Sequence, residues 1–286
     1  MTKRTPINYL QYAASGAPNV YSDTVGFRKM KHYSEDVVRH GWLMALTAGL
    51  AVAENPFSWS PKQQALFKKP INFHYQIGPT LYDAAMKSYE TGYPYTLTPL
   101  AIAYPEDENA AELAHYQWLA GESLLCAPLV KNHSSGTMDL YLPTGAWFDY
   151  DTGQKYQGPK LLKDFSMPVG KTPCFVGGTG ILVTRASDNA PLQAHIYPVD
   201  TPPQSFTFHH PDGASISKLR LRKDSAPGIW SAATGRPVAH ALSPTTGALS
   251  FELAPGESYE YALAMDSRSP ARCEVMENER FRIEVR

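Results

Sequence analysis

Near residue 105 the hydrophobic pattern changes period, and this limits the possible folds more than any single motif does. Before that point apolar residues recur at helical spacing. From residue 121 onward the chain breaks into short β-prone runs, "LLCAPLV", "TMDLYLP", "GAWFDYD", "TPCFV" and "GILVTRA", separated by Gly, Pro, Asp or Asn. The 24 prolines and 12% aromatic residues fit many short strands joined by tight turns. A second series, from "LQAHIYPV" to "SYEYALAM", follows "RASDNAP", which reads as a boundary. These series predict two β-sandwiches. The charged last piece, "RCEVMENERFRIEVR", fits neither.

In the first part, Ser34 is a suitable N-cap for a helix over about 35–47, with Glu35 and Asp36 in its first turn and Val38, Trp42, Leu43 and Leu46 on one face. "LAVAEN" then reads as a buried strand that stops at Asn55-Pro56. "INFHYQIGPTLYDAAMKSYETG" reads as a helix ending at Gly92 and kinked at Gly78-Pro79. The order β-α-β-α is that of a parallel α/β fold. A closed eight-stranded barrel takes about 250 residues, so the roughly 100 present here supply only its end.

Composition excludes several function classes. Lys plus Arg number 26 against 27 Asp plus Glu, so no basic field exists to attract nucleic acid. The start has Pro6 and no apolar run long enough for a signal core or a membrane span, which makes the expectation a cytoplasmic chain without a membrane partner. Cys126, Cys174 and Cys273 form neither a disulfide framework nor a metal-ligand spacing and read as small buried hydrophobes. His209 and His210 are adjacent on a strand-like run, so their side chains point to opposite faces and favour packing over a metal site. Trp59, Tyr75 and Tyr82 have a packing role or a sugar-stacking role open to them, with packing favoured. No cofactor or metal is expected.

The ordered motifs carry more than their composition. "YLPTGAWFDYDTGQKYQG" followed by "KTPCFVGGTGILV" closely resembles the β-sandwich that follows the barrel in family 31 glycoside hydrolases, the α-glucosidase and α-xylosidase type. Tyr141, Leu142, Pro143, Gly145, Trp147, Asp149, Thr152 and Gly153 match its long hairpin, and Pro173, Phe175, Val176 and Gly180 the next strand pair. Upstream, Glu90, Gly92, Pro94, Pro99, Leu100, Pro105 and Asp107 resemble the last barrel helix and its exit. Ser15, Gly16, Pro18, Asp23, Gly26 and Phe27 resemble the seventh-strand segment. The resemblance runs collinearly over about residues 10–265.

The resemblance implies the last strands and helices of a (β/α)8 barrel over 1–105, a proximal β-sandwich over 106–188, and a distal β-sandwich with tail over 189–286. It also implies hydrolysis of α-linked glycosides, with the catalytic carboxylates at the ends of strands four and six and therefore upstream of this chain. No catalytic residue is then assigned here. Asp23, Glu54 and Phe27 are the implied substrate-binding residues, because barrel chemistry lies at the carboxyl ends of strands. For Asp23 three roles stay open: an acid/base pair with Glu54, a hydrogen bond to sugar in a completed barrel, or a solvent-facing loop acid.

The chain departs from the family pattern in three segments. Glu54-Asn55-Pro56 stands where Arg-Asn-His is usual, Thr98 where Arg is common, and Tyr21 and Val25 where Gly is common. These changes put the family's usual glucose recognition in question. The implied partners are a carbohydrate substrate and an upstream barrel polypeptide or a second copy of the chain. The alternative is a non-catalytic carbohydrate-binding or assembly module.

Overall fold

The computed structural model describes residues 4–21, 25, 35–53, 55–129, 136–224 and 226–264. Helix α1 (Arg4–Ala14) was not expected from the sequence; Pro6 sits in its first turn, where a missing N–H costs nothing. Tyr9 and Ala13 enter the core, and the Tyr9 hydroxyl donates to the Met44 sulfur at 3.8 Å. Helix α2 (Glu35–Ala45) follows the predicted periodicity, with Val37, Val38, Trp42 and Leu43 buried. Its proposed cap, Ser34, lies outside the described residues, as do Cys273 and the charged last piece.

Helix α3 (Pro61–Thr91) starts ten residues before the segment read as helical and runs through both Pro70 and Pro79. Its start is a capping box. The Ser60 hydroxyl accepts from Gln63 N, the Gln63 side chain accepts from Ser60 N at 3.0 Å, and Pro61 supplies the preset first turn. Gly92, at φ 77°, closes the other end. An internal proline costs about 3 kcal/mol in an isolated helix, and here tertiary burial offsets it. Pro70 is buried near Gly41 of α2, where an added Cβ would lie 3.2 Å from both the Pro70 and Phe67 side chains. Beside Pro79, the Gln76 carbonyl accepts from Arg185 N at 3.0 Å, and Thr80 Oγ1 donates to Val183 O at 2.7 Å.

Between α1 and α3, Val25 and Val52 form a parallel bridge, with Val25 N donating to Ala51 O at 2.9 Å and Ala53 N to Val25 O at 3.0 Å. Two extended segments thus pair in parallel across α2, the arrangement that β-α-β order requires.

The remainder is dominated by antiparallel sheet. Strands β1 (Thr98–Pro99), β2 (Trp118–Ala120), β3 (Leu124–Cys126), β4 (Thr137–Asp149), β5 (Lys155–Ser166) and β6 (Cys174–Val176) form one sheet in the order β1-β2-β3-β6-β4-β5, with the short helices α4 (Leu100–Ala103) and α5 (Glu108–Leu113) between β1 and β2. The β4–β5 hairpin turns on Asp149, whose side chain accepts from Asp151 N and Thr152 N, and on Gly153 at φ 73°.

Strands β7 (Ile181–Thr184), β8 (Gln193–Ile196), β12 (Ala241–Leu242) and β13 (Leu249–Glu252) form a second sheet, ordered β12-β13-β8-β7. Strands β9 (Ser205–His209), β10 (Ile216–Leu221), β11 (Gly228–Ser231) and β14 (Ser258–Ala262) form a third, ordered β11-β14-β10-β9, in which β10 and β14 run parallel. Ile196 and Phe251 of one sheet and Phe208, Leu219 and Tyr261 of the other share a single apolar cluster. The "RASDNAP" stretch, read as a boundary, is the loop of the β7–β8 hairpin. The chain passes from the first sheet to the second through Gly177 to Gly180, between β6 and β7.

His195 of β8 lies between the hydroxyls of Thr184 (2.9 Å) and Ser250 (2.8 Å), and burial lowers its pKa below the ordinary 6.5. Burial likewise lowers His40, His74 and His210. Each folds most readily when neutral. Their contribution is therefore complete above the unfolded pKa and declines as pH falls through 6.5 toward the depressed folded values. The melting temperature should drop between pH 7 and pH 5, less steeply in His195→Gln, as thermal unfolding at fixed ionic strength will show. A flat profile would mean that these histidines accept protons without cost.

Candidate functional site

The residues implied as substrate-binding, Asp23, Phe27 and Glu54, all lie outside the described residues. Their described neighbours are Val25 and the 51–53 segment, which the parallel bridge holds side by side. Asn55 is described and is used locally: its side chain accepts from Phe57 N at 3.0 Å and caps a 3-10 turn over Pro56–Ser58. Proline at position 56 therefore begins a turn where the family pattern has a histidine. Thr98, in place of the usual arginine, is buried with its hydroxyl donated to Pro94 O at 2.8 Å. A short neutral side chain satisfied by its own loop replaces a long cation there.

Of the aromatic candidates, Trp59 is buried edge-on to Phe67 at 5.2 Å, Tyr82 is half-buried and Tyr75 is exposed. Packing accounts for Trp59. Cys126 and Cys174 are buried and face each other across β3 and β6. His209 and His210 diverge as strand geometry demands. His210 Nε2 pairs with Ser217 Oγ at 2.8 Å, while His209 Nδ1 lies 2.9 Å from Asp83 Oδ1 and its Nε2 lies 3.3 Å from Glu90.

His209 belongs to a buried charge cluster that joins α3 to two sheets. Asp83 Oδ1 accepts from the His209 backbone N–H and meets its ring nitrogen, both at 2.9 Å; Asp83 Oδ2 lies 2.9 Å from Lys87 Nζ. Lys87 also reaches Glu122 at 2.5 Å, in the turn between β2 and β3, and lies over the Phe206 ring at 4.0 Å. Every member has an opposite charge or a donor in reach, which is the condition for keeping ions buried. This is a structural clamp. Among the described residues, no group of three or more His, Cys, Asp or Glu side chains is arranged to hold a metal ion, and no helix is long and apolar enough to cross a membrane.

One concave site stands out, a cleft of about 400 Å³ where the loop after α3, the β2–β3 turn, the bulged middle of β4, the β6–β7 turn and the segment after β8 converge. Tyr93 and Tyr95 form one wall, with ring centroids 4.7 Å apart at 55°, and Tyr104 lies beside them. Glu122 and Asp200 supply carboxylates, and Asp200 accepts from Gln157 Nε2 at 2.7 Å. Burial, followed by the charges of neighbouring Tyr95 and Glu122, raises the Tyr93 pKa, and burial and then Glu122 raise that of Tyr95, so both hydroxyls remain donors at neutral pH. Gly178, at φ 55°, also lines it; a Cβ there would come within 2.3 Å of Glu122 O. The sequence does not reveal this cleft, because its lining comes from five separated segments whose motifs read as scaffold turns and strands. The closely spaced tyrosines of "GYPY" were its one local signal.

Comparison with known proteins relates the chain to one family. Residues 92–182 match the glycosyl hydrolase family 31 C-terminal domain. The chain is 31% identical over 172 residues to a 1,6-α-glucosyltransferase of Sporosarcina globispora, covering 57% of this chain and 13% of that protein. It is 29% identical over 170 residues to α-glucosidase 2 of Bacillus thermoamyloliquefaciens, covering 57% and 21%. Among solved structures it is similar to a Flavobacterium johnsoniae family 31 dextranase complexed with isomaltotriose, with 25% identity, a TM-score of 0.57, and coverage of 71% of this chain and 27% of that one. A glucosidase II α subunit shares the fold with a TM-score of 0.61 at 12% identity, over 90% of this chain and 36% of that one. The matched proteins are glycoside hydrolases and a glucosyltransferase related to them. The chain carries a family 31 C-terminal domain and corresponds to the C-terminal portion of that family. It spans only 13% and 21% of those two curated relatives.

Proposed function

We propose that this chain is the C-terminal part of a glycosidase that hydrolyses α-linked sugars, and that it has no glycosidase activity alone because the catalytic carboxylates belong to an upstream part of the barrel. The observation that carries this reading is the placement of the family 31 match at 92–182, directly after α2, the Val25–Val52 parallel pair and α3. Residues 1–105 are then the end of a (β/α)8 barrel. The first sheet is the proximal domain, and the two four-stranded sheets are the distal one, with the passage between them at Gly177–Gly180 supporting a division slightly before residue 188. Asp23, Glu54 and Phe27 would face a sugar in the completed barrel, with Asp23 accepting a sugar hydroxyl. The carbohydrate-bound state of the similar dextranase supports a carbohydrate substrate.

The reading frame upstream of Met1 tests this proposal. It should encode, in frame or in an adjacent gene, barrel strands with terminal carboxylates. Co-expressed with that segment, the chain should turn over an aryl α-glycoside. Asp23→Ala should then lower kcat/KM by about 10- to 100-fold, the range of one hydrogen bond to a charged group. An unchanged kcat/KM in that variant would remove Asp23 from the sugar site.

A further inference from the structure

We infer that the cleft beneath Tyr93 and Tyr95 is a second saccharide site, one that takes a neutral oligosaccharide apart from the barrel's strand ends. The choice of a saccharide rests on the glycosidase reading; the existence of the site does not. Among the described residues, no lining residue comes from the Val25 or Val52 segments.

Its volume of about 400 Å³ lies within the range of small-ligand pockets. Its chemistry narrows the ligand. Among the described residues the lining contains no Lys or Arg, and Lys87 beside Glu122 is already shared between Asp83 and Glu122, so phosphates, nucleotides and other anions would find no free cation. A metal ion or an amine would need carboxylates free to neutralise it. Glu122 is already paired with Lys87 at 2.5 Å, which leaves Asp200, hydrogen-bonded by the neutral Gln157 amide at 2.7 Å, as a single uncompensated carboxylate, too few for a metal ion. A neutral polyhydroxyl ligand fits what remains. Each carboxylate keeps acceptor positions for sugar hydroxyls, and Thr144 and Thr201 offer hydroxyls that donate or accept, whereas Thr179 Oγ1 is held by Ser123 Oγ at 2.6 Å. The half-buried tyrosines provide apolar rings against which the C–H face of a pyranose can lie, with protonated hydroxyls at the rim.

The glycine at position 178 lets the β6–β7 turn approach the β2–β3 turn closely at the edge of the cleft. Its positive φ holds the β6–β7 turn tight, and a side chain there would strike the Glu122 carbonyl. The rim is held in turn by the clamp: Glu122 is tied through Lys87 to Asp83 on α3. The polar groups are thus fixed before any ligand arrives, which reduces the ordering cost of binding.

Titrating the full 286-residue chain with isomaltotriose and maltotriose, followed by tyrosine fluorescence and calorimetry, tests the inference. Millimolar binding is expected, weakened about tenfold or more by Tyr93→Ala and by Asp200→Asn, the scale of one lost ring contact or hydrogen bond. Thermal melts of both variants should stay near that of the parent chain. Asp23→Ala should leave this binding unchanged. The inference is overturned if the parent chain binds neither sugar, or if binding survives both cleft variants. Tighter binding of inorganic phosphate than of either sugar would also overturn it. None of these results bears on turnover by the completed barrel, so the glycosidase reading stands or falls separately.

Discussion

Trp147→Ala is expected to lower the unfolding free energy by about 3–5 kcal/mol, the range for deleting a buried tryptophan. Trp147 is fully buried in β4, and its indole N–H donates to Pro143 O at 2.8 Å, spanning the bulge that the chain makes between Leu142 and Gly145. The ring lies so close over Gly177 that a Cβ at that position would come within 2.4 Å of it. Tyr104 stands edge-on at 6.4 Å. Removing the indole leaves a cavity that a glycine backbone on one side cannot fill, and it strips a carbonyl of its donor. Trp147→Phe keeps most of the volume and loses the hydrogen bond, so it should cost about 1–3 kcal/mol. Urea unfolding measures both. A loss below about 1 kcal/mol for Trp147→Ala would put this ring among ordinary surface substitutions and contradict its place at the centre of the hairpin.

Asp83→Ala should be comparably damaging, at about 3–5 kcal/mol, because it breaks a buried ion cluster and leaves the partners without compensation. The carboxylate serves three groups at once: the His209 backbone N–H, the His209 ring and Lys87, each at 2.9 Å. Lys87 retains Glu122, which limits the damage on that side. Glu90 is half-exposed, so its contact with His209 adds little in water. Asp83→Asn keeps an acceptor for the backbone N–H and should lose less, about 1–3 kcal/mol. Equal losses for the two variants would show that charge, rather than the acceptor, holds α3 to β9. A near-zero loss for Asp83→Ala would show that the cluster does not fasten the helix to the sheets.

These two sites differ in how far the sequence revealed them. Trp147 sits in a run whose turn chemistry, Asp149 through Gly153, is local, and local rules are enough to predict a hairpin there. The partner of Asp83 is 126 positions away in sequence, and no spacing rule connects a helix carboxylate to a strand histidine at that separation. Helix α2 was legible because its apolar stripe and acidic first turn agree. The first ten residues of α3 were not, since Pro70 argues against a helix until its burial beside Gly41 is known. Helix α1 is as amphipathic as α2, but Pro6 argues against a helix there and no acidic residue marks its first turn. "RASDNAP" has the composition of a linker and equally that of a hairpin loop, and strand pairing alone distinguishes the two. Among site residues, the motif order pointed to Asp23, Glu54 and Phe27. The cleft tyrosines became visible only when five segments met.

The central claim is that this chain contributes to a glycosidase whose catalytic carboxylates it does not itself supply. The purified 286-residue chain, incubated with 4-nitrophenyl α-glucoside and α-xyloside, tests it most directly. The account predicts no release of nitrophenol above the uncatalysed rate, in the parent chain and in a double Asp23→Ala, Glu54→Gln variant alike. Turnover by the chain alone, abolished in that double variant, would contradict it and make Asp23 and Glu54 the acid/base pair.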